Sequence, residues 1–178
     1  ASLNGSYRTN NQETAINAYY TTNYSGELGS TPNPYSLKRF ENSPLNRVLE
    51  QTAPGESWKA GTIYDGNGHT NGQTIKFGYQ TNTANEVRLY NVTLVLADNT
   101  YTPSLVNATT HYLPNELYKT ITKDENWKTT DGVNKTTEEF KDKQGRVILK
   151  RTYGNEDLNG DGDTIDTGES NASHDTYY

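Results

Sequence analysis

A chain of 178 residues can form one domain with a real core or two small ones, and one is the better prior. Only 30% of it is hydrophobic and its mean hydropathy is −0.98, yet 14 Tyr, 2 Trp and 3 Phe supply large side chains that disordered chains lack; a thin core with tyrosine-rich faces follows. All 16 Lys and Arg lie at or before Arg151, where they face 15 acids, and this nearly neutral body with no basic stripe excludes the clustered cations of a nucleic-acid binder.

The abundance of Thr, Asn, Tyr and Gly is a β composition. Cysteine is absent, so neither disulfides nor thiol chemistry are available. No apolar run approaches the roughly 20 residues that cross a bilayer. No membrane insertion is expected, and Ala1 reads as a processed or cut start, since no signal-peptide pattern opens the sequence.

From Asn11 to Tyr20 the spacing of Ala15, Ile16, Tyr19 and Tyr20 predicts one short helix, the only one expected. Pro32 and Pro34 then forbid helix. S-L-K-R-F-E, N-S-P-L-N-R-V-L-E-Q and T-A-P-G-E-S-W-K read as extended pieces, and Asp65 to Gly72 as a flexible loop tip. Thr74 to Gln80 alternates Ile75, Phe77 and Tyr79 on one face. Val87 to Ala97 is the longest β-rich run, and its apolar middle is expected to form a central strand.

Asp98-Asn99 predicts a hairpin turn into Tyr101 to Val106, and Leu117 to Lys123 another alternating strand. Thr136 to Asp142 and Arg146 to Tyr153 form the last clear pair, joined by K-Q-G. The fold class is mostly β: antiparallel strands and hairpins with at most one short helix.

The most specific motif is D-L-N-G-D-G-D-T-I-D-T-G-E, Asp157 to Glu169. Calcium takes six to eight oxygens, and the EF-hand loop supplies them from positions 1, 3, 5, 7 and 12, with Gly at 6. Asp157, Asn159, Asp161 and Gly162 fit positions 1, 3, 5 and 6, and the Asp163 carbonyl sits at 7. Position 12 is Gly168, so the closing acid is either Glu169, one residue late and preferred because a glycine-rich loop absorbs a bulge, or Asp166. Five like charges this close repel one another without a cation, so one Ca2+ ion is expected rather than a solvated linker.

Catalysis has little to stand on. His69, His111 and His174 fit no zinc-protease pattern, and no G-x-S-x-G exists. Glu138 and Glu139 are adjacent, which on a strand points them to opposite faces. The tyrosines with Trp58 or Trp127 could stack on sugars, although tyrosine on a strand more often packs across to its neighbours.

E-F-K-D-K-Q-G-R-V-I-L-K-R, Glu139 to Arg151, resembles the YD or RHS repeat: an aromatic, Asp, two variable residues, Gly, Arg or Asn, then alternating apolar residues. Phe140 replaces the tyrosine and Lys141 is one residue extra. The stretches Phe40 to Trp58, Thr81 to Tyr90, Glu116 to Trp127 and Thr136 to Val147 resemble, in this order, the uncharacterised DUF6443-type domain that precedes RHS repeats in large secreted or surface proteins of Bacteroidetes-type bacteria. His174 to Tyr178, H-D-T-Y-Y, resembles the start of a further YD unit, so the chain reads as a fragment.

The resemblance implies a DUF6443-like β domain over residues 1–135 and repeat hairpins with a calcium-loop insertion over 136–178. It also implies an RHS-like sheet and a non-enzymatic role in the shell or plug of a toxin-carrying assembly at the bacterial surface or outside the cell. The implied partners are the downstream repeats of the same parent chain. The cut edge strand offers a pairing surface for a homo-oligomer. The alternative is a stand-alone glycan-binding or adhesive module.

Overall fold

The computed structural model describes residues 12–28, 33–97, 99–106, 109–155, 161 and 171–178. The chain is mostly β, with nine strands in antiparallel sheets among the described residues and a single helix of more than one turn. It divides into two compact units, Ala1–Lys76 and Phe77–Tyr178.

The first unit opens with the helix α1 (Gln12–Asn23) and the short turn α2 (Ser25–Leu28). The predicted helix is present. Its stability comes from local contacts rather than a buried face: Tyr20 and Tyr24 pack at 5.6 Å between centroids, and Asn23 Nδ2 donates to the Tyr19 carbonyl at 2.8 Å. Strands β1 (Lys38–Phe40), β2 (Val48–Gln51) and the first residues of β3 (Ile75–Thr81) follow, with Arg39 opposite Glu50 and Glu50 opposite Lys76. The stretch expected to be extended around Trp58 is instead a single 3-10 turn, Glu56–Trp58, begun by Gly55 at φ +115°.

The second unit holds the rest of β3 with β6 (Tyr118–Lys123), β7 (Thr136–Lys141), β8 (Val147–Gly154) and β9 (Ala172–Tyr177), in the order β3-β6-β7-β8-β9. Register places Lys119, Phe140, Leu149 and Tyr177 in one row across four strands, and Ile121, Glu138, Arg151 and Asp175 in the next. Residues two apart share a face, so a row that is apolar except for Lys119 and a row that is charged except for Ile121 lie side by side on the same surface. Val87 and Leu117 complete the buried cluster with Phe140 and Leu149, and Tyr112, Ile148 and Tyr177 pack against it. Among the described residues this buried cluster has four members, a thin core as composition leads one to expect.

The strands β4 (Asn91–Ala97) and β5 (Thr100–Val106) form a separate two-stranded sheet; of the predicted Asp98-Asn99 turn, Asn99 is a turn residue at φ +60° and Asp98 falls outside the described residues. The expectation of a central strand here is wrong: every described residue of both strands is exposed. Alternation of apolar residues specifies a face; it does not specify that another layer covers it.

Candidate functional site

In the first unit the segment that reads as a flexible loop tip folds back as a small hairpin, with Ile63 bridged to Thr70 and the Tyr64 N–H donating to the His69 carbonyl at 3.0 Å. Its turn is held by Asp65, whose carboxylate accepts from the Asn67 N–H at 3.0 Å, the His69 N–H at 2.9 Å and His69 Nδ1 at 2.8 Å. Burial pushes the Asp65 carboxyl up, but the hydrogen bonds and charge of His69 outweigh it, and the net direction is down. His69 is 2% exposed and Thr70 fully buried.

This hairpin closes over Glu50, a fully buried carboxylate on β2. Glu50 accepts from Thr70 Oγ1 at 2.5 Å and from Thr74 Oγ1, and Arg39 Nη1 reaches its second oxygen at 3.3 Å. Lys76, also buried, donates its ammonium to the Gly72 carbonyl at 2.8 Å and to both oxygens of Thr74 at 3.0 Å. A Cβ on Gly72 would lie 2.2 Å from the Lys59 carbonyl oxygen, so only glycine permits this approach. The Thr74 hydroxyl stands between an ammonium and a carboxylate, a relay in which both charged groups are hydrogen-bonded. The Tyr64 hydroxyl is buried without a hydrogen-bond partner among the described residues, and burial, then Asp65 and Glu50, push it up to about 12.

Sequence reading missed this cluster. Its members lie 20 and 24 residues apart, and the signal available was only the odd placement of Lys76 between the apolar Ile75 and Phe77.

The second unit has its own buried ionic group. Lys119 Nζ sits 2.7 Å from Glu86 and 2.6 Å from Glu138, above the Phe140 ring at 5.3 Å from its centroid. Burial favours loss of the Lys119 proton, but hydrogen bonds to Glu138 and Glu86 outweigh it and raise its pKa. Glu86, pushed up by burial, is lowered on balance by Lys119 and by the Thr83 N–H. Glu138 and Glu139 do point apart as expected: Glu139 pairs instead with Lys141 at 2.5 Å. Arg151 grips Asp175 through two bonds of 2.6 and 2.8 Å, which raise its pKa further.

The D-K-Q-G turn between β7 and β8 shows why that motif takes its form. Asp142 accepts from the N–H groups of Gln144 and Arg146, both at 2.9 Å, Gly145 takes φ +84°, and Arg146 Nε returns to Asp142 at 2.7 Å. The ladder is irregular between Phe140 and Lys141, at the extra residue. An open recess of about 260 Å³ beside this turn is lined by Tyr112, Glu116, Leu117, Asp142 and Arg146. Its two carboxylates are already engaged by backbone N–H groups, Glu116 by that of Leu113 at 2.7 Å.

Of the calcium-ligand candidates, Asp161 lies exposed at a bend, and Asp157, Asn159, Asp163, Asp166 and Glu169 fall outside the described residues. Their flanks are described. Gly154 pairs with Ala172, and the Asn155 side-chain oxygen accepts from Asn134 Nδ2 at 2.5 Å and from the Asn171 N–H at 3.4 Å. The stretch thus connects two paired strands. The histidines stand at separate places: His69 against Asp65, His111 bridged to Arg88, and His174 opposite Thr152 on β9. One face of the Trp127 ring is covered by Lys123 Nζ at 3.8 Å, and Trp58 is 38% exposed.

Residues 1–73 match the profile of DUF6443, a domain of unknown function. Searches among curated proteins and among solved structures found no match. The matched residues include Glu50, Asp65, His69 and Thr70 and stop just before Thr74; they also contain the stretch Phe40 to Trp58.

Proposed function

We propose that this chain is a non-enzymatic scaffold segment of a large secreted or surface protein of the RHS type, fastened near its C-terminal end by one calcium ion. The observation that carries this reading is the run β7-β8-β9, in which each strand pairs with the next, β7 and β8 carrying one repeat-like signature and β9 the start of another. Asp142, Gly145 and Arg146 build the turn, and Asp175 of H-D-T-Y-Y anchors β9 to β8 through Arg151. Tyr177 then packs on the core and accepts from the Arg88 N–H at 3.2 Å.

A second consideration is chemical. The buried ionic groups Glu50, Lys76, Lys119 and Glu138 are held in networks that satisfy one another, as a scaffold requires. Downstream repeats would continue the sheet from β9, the strand at the end of the order.

Calcium belongs to this reading through position. A long connection between paired strands has closure entropy to overcome, and a cation that draws Asp157, Asn159, Asp161, the Asp163 carbonyl and either Glu169 or Asp166 together holds β8 and β9 in register. Calorimetric titration of metal-free protein with calcium tests the ion, and no heat at millimolar metal would end the idea. Chelation is expected to admit proteases near Gly160 first while the Phe40 to Tyr90 region stays resistant. Uniform digestion of the whole chain would contradict a local fastening.

A further inference from the structure

The β4–β5 ribbon has a division of its faces that its exposure makes consequential. Register pairs Val92 with Leu105, Leu94 with Pro103 and Leu96 with Tyr101, so these six apolar residues form one face. The opposite face carries Asn91, Thr93, Val95, Ala97, Thr100, Thr102, Ser104 and Val106, mostly hydroxyl and small side chains.

Nothing among the described residues covers the apolar face: Val92, Leu94, Leu96, Tyr101 and Leu105 are each between 59% and 64% exposed. Side chains of this size at that exposure present about 600 Å² of apolar surface, the upper end for the largest patch on a monomer. A two-stranded ribbon with both faces in water is marginal at best, so this one requires a second layer.

We infer that the second layer is the same ribbon of another copy of this chain, the two apolar faces stacking as a four-stranded sandwich. Charge selects this occupant. From Leu89 to Asn115 the one Asp, Glu, Lys or Arg is Asp98, which lies between the two strands in sequence. A self-facing surface meets its own charges across the two-fold axis, and this one has none to repel. A nucleic acid, an acidic peptide or an anionic membrane would instead call for cations, and the ribbon carries none. Its strands of seven residues are also shorter than the roughly 9 to 11 that span a bilayer. Area agrees: two such faces bury about 1,200 Å² in total, the lower bound for a stable pair of proteins. The expected complex is therefore a reversible dimer, separate from any pairing along β9.

Sedimentation of the whole chain over a range of concentrations tests this. The wild type is expected to run as a monomer–dimer equilibrium, Leu94→Glu to weaken association at least tenfold, and Thr93→Glu on the opposite face to leave it unchanged. Because a buried charge can also unfold the ribbon, a second arm uses the absence of native cysteine. Leu94→Cys, mid-ribbon on the apolar face, is expected to give covalent dimer with a short bis-maleimide, whereas Ser104→Cys on the other face is not. A wild type that stays monomeric, a dimer that survives Leu94→Glu, or equal cross-linking from both faces would overturn the inference. Monomeric protein that floats with phosphatidylcholine vesicles would overturn it in favour of lipid.

Discussion

Glu50 sits in a place where a carboxylate survives only because four other side chains arrive at it or at its partners. Thr70 and Thr74 give hydroxyl donors, Arg39 a charge at 3.3 Å, and Lys76 polarises Thr74 from behind. Truncation to Ala leaves Arg39 without its counter-charge and removes the acceptor of two buried hydroxyls. Glu50→Ala is therefore expected to destabilise the first unit by about 3 kcal/mol, and Glu50→Gln, which keeps the shape and one oxygen, by less. Urea unfolding in a Trp127→Phe background checks this, because Trp58 then reports alone; a midpoint unmoved by Glu50→Ala would make the cluster incidental. None of this was legible from local sequence, since Thr70 and Thr74 look like ordinary turn residues until the chain brings Glu50 beneath them. The asparagines were legible only as composition. Among the described residues the non-glycine positions in the left-handed region are Asn46, Asn85, Asn99, Asn115 and Asn171 with Lys135, so the residue type suits tight corners of a turn-rich fold.

At the scale of elements, what the sequence makes plain is what it settles within a few residues. The β7–β8 hairpin reads directly because Asp142, Gly145 and Arg146 close their own turn, with no help from distant strands. Gly145 holds φ +84° with open space where a Cβ would stand, so Gly145→Ala is strained by backbone conformation alone. A loss of about 1 kcal/mol is expected, together with faster amide exchange across the β7–β8 ladder, measured by hydrogen–deuterium exchange. Protection unchanged at Phe140 and Leu149 would show that register is set by the core row instead. The β4–β5 ribbon is the opposite case. Its two strands were readable, but its place was not, because an apolar stripe identifies a surface in need of cover and is silent on where the cover comes from. The acidic stretch is different again: the proposed calcium loop, Asp157 to Glu169, rests on the spacing of its acids, and the fold adds that its flanks are paired strands.

At the scale of the whole molecule, charge acts as a reserve of stability with a defined pH window. Arg47 holds Glu41 at about 2, and Asp131 is lowered first by the Lys128 N–H and then by Lys135. Asp65, Glu86 and Asp142 are pushed up by burial but end low, because His69, Lys119 and Arg146 respectively outweigh it. Each of these carboxyls has a lower pKa folded than unfolded, so the unfolded chain binds more protons in acid. Their contribution is complete above the ordinary carboxylate range of about 4 to 4.5 and is lost as pH falls through the lowered values, with Glu41 among the last near 2. Lys119 and Arg151 have raised pKa values, so theirs is complete below the ordinary lysine value of about 10.4 and is lost only above it. The urea midpoint is therefore expected to be flat from about pH 6 to 9 and to fall steeply between about pH 4.5 and 2. Measuring it in excess chelator separates this limb from proton competition for the calcium proposed at Asp157 to Glu169. Lys119→Met should make the acid limb shallower, since Glu86 then loses the cation whose hydrogen bond and charge hold its carboxyl low. A midpoint that rises on acidification would contradict the lowered carboxyls of Asp65, Glu86 and Asp142 and the ion pairs that hold them low.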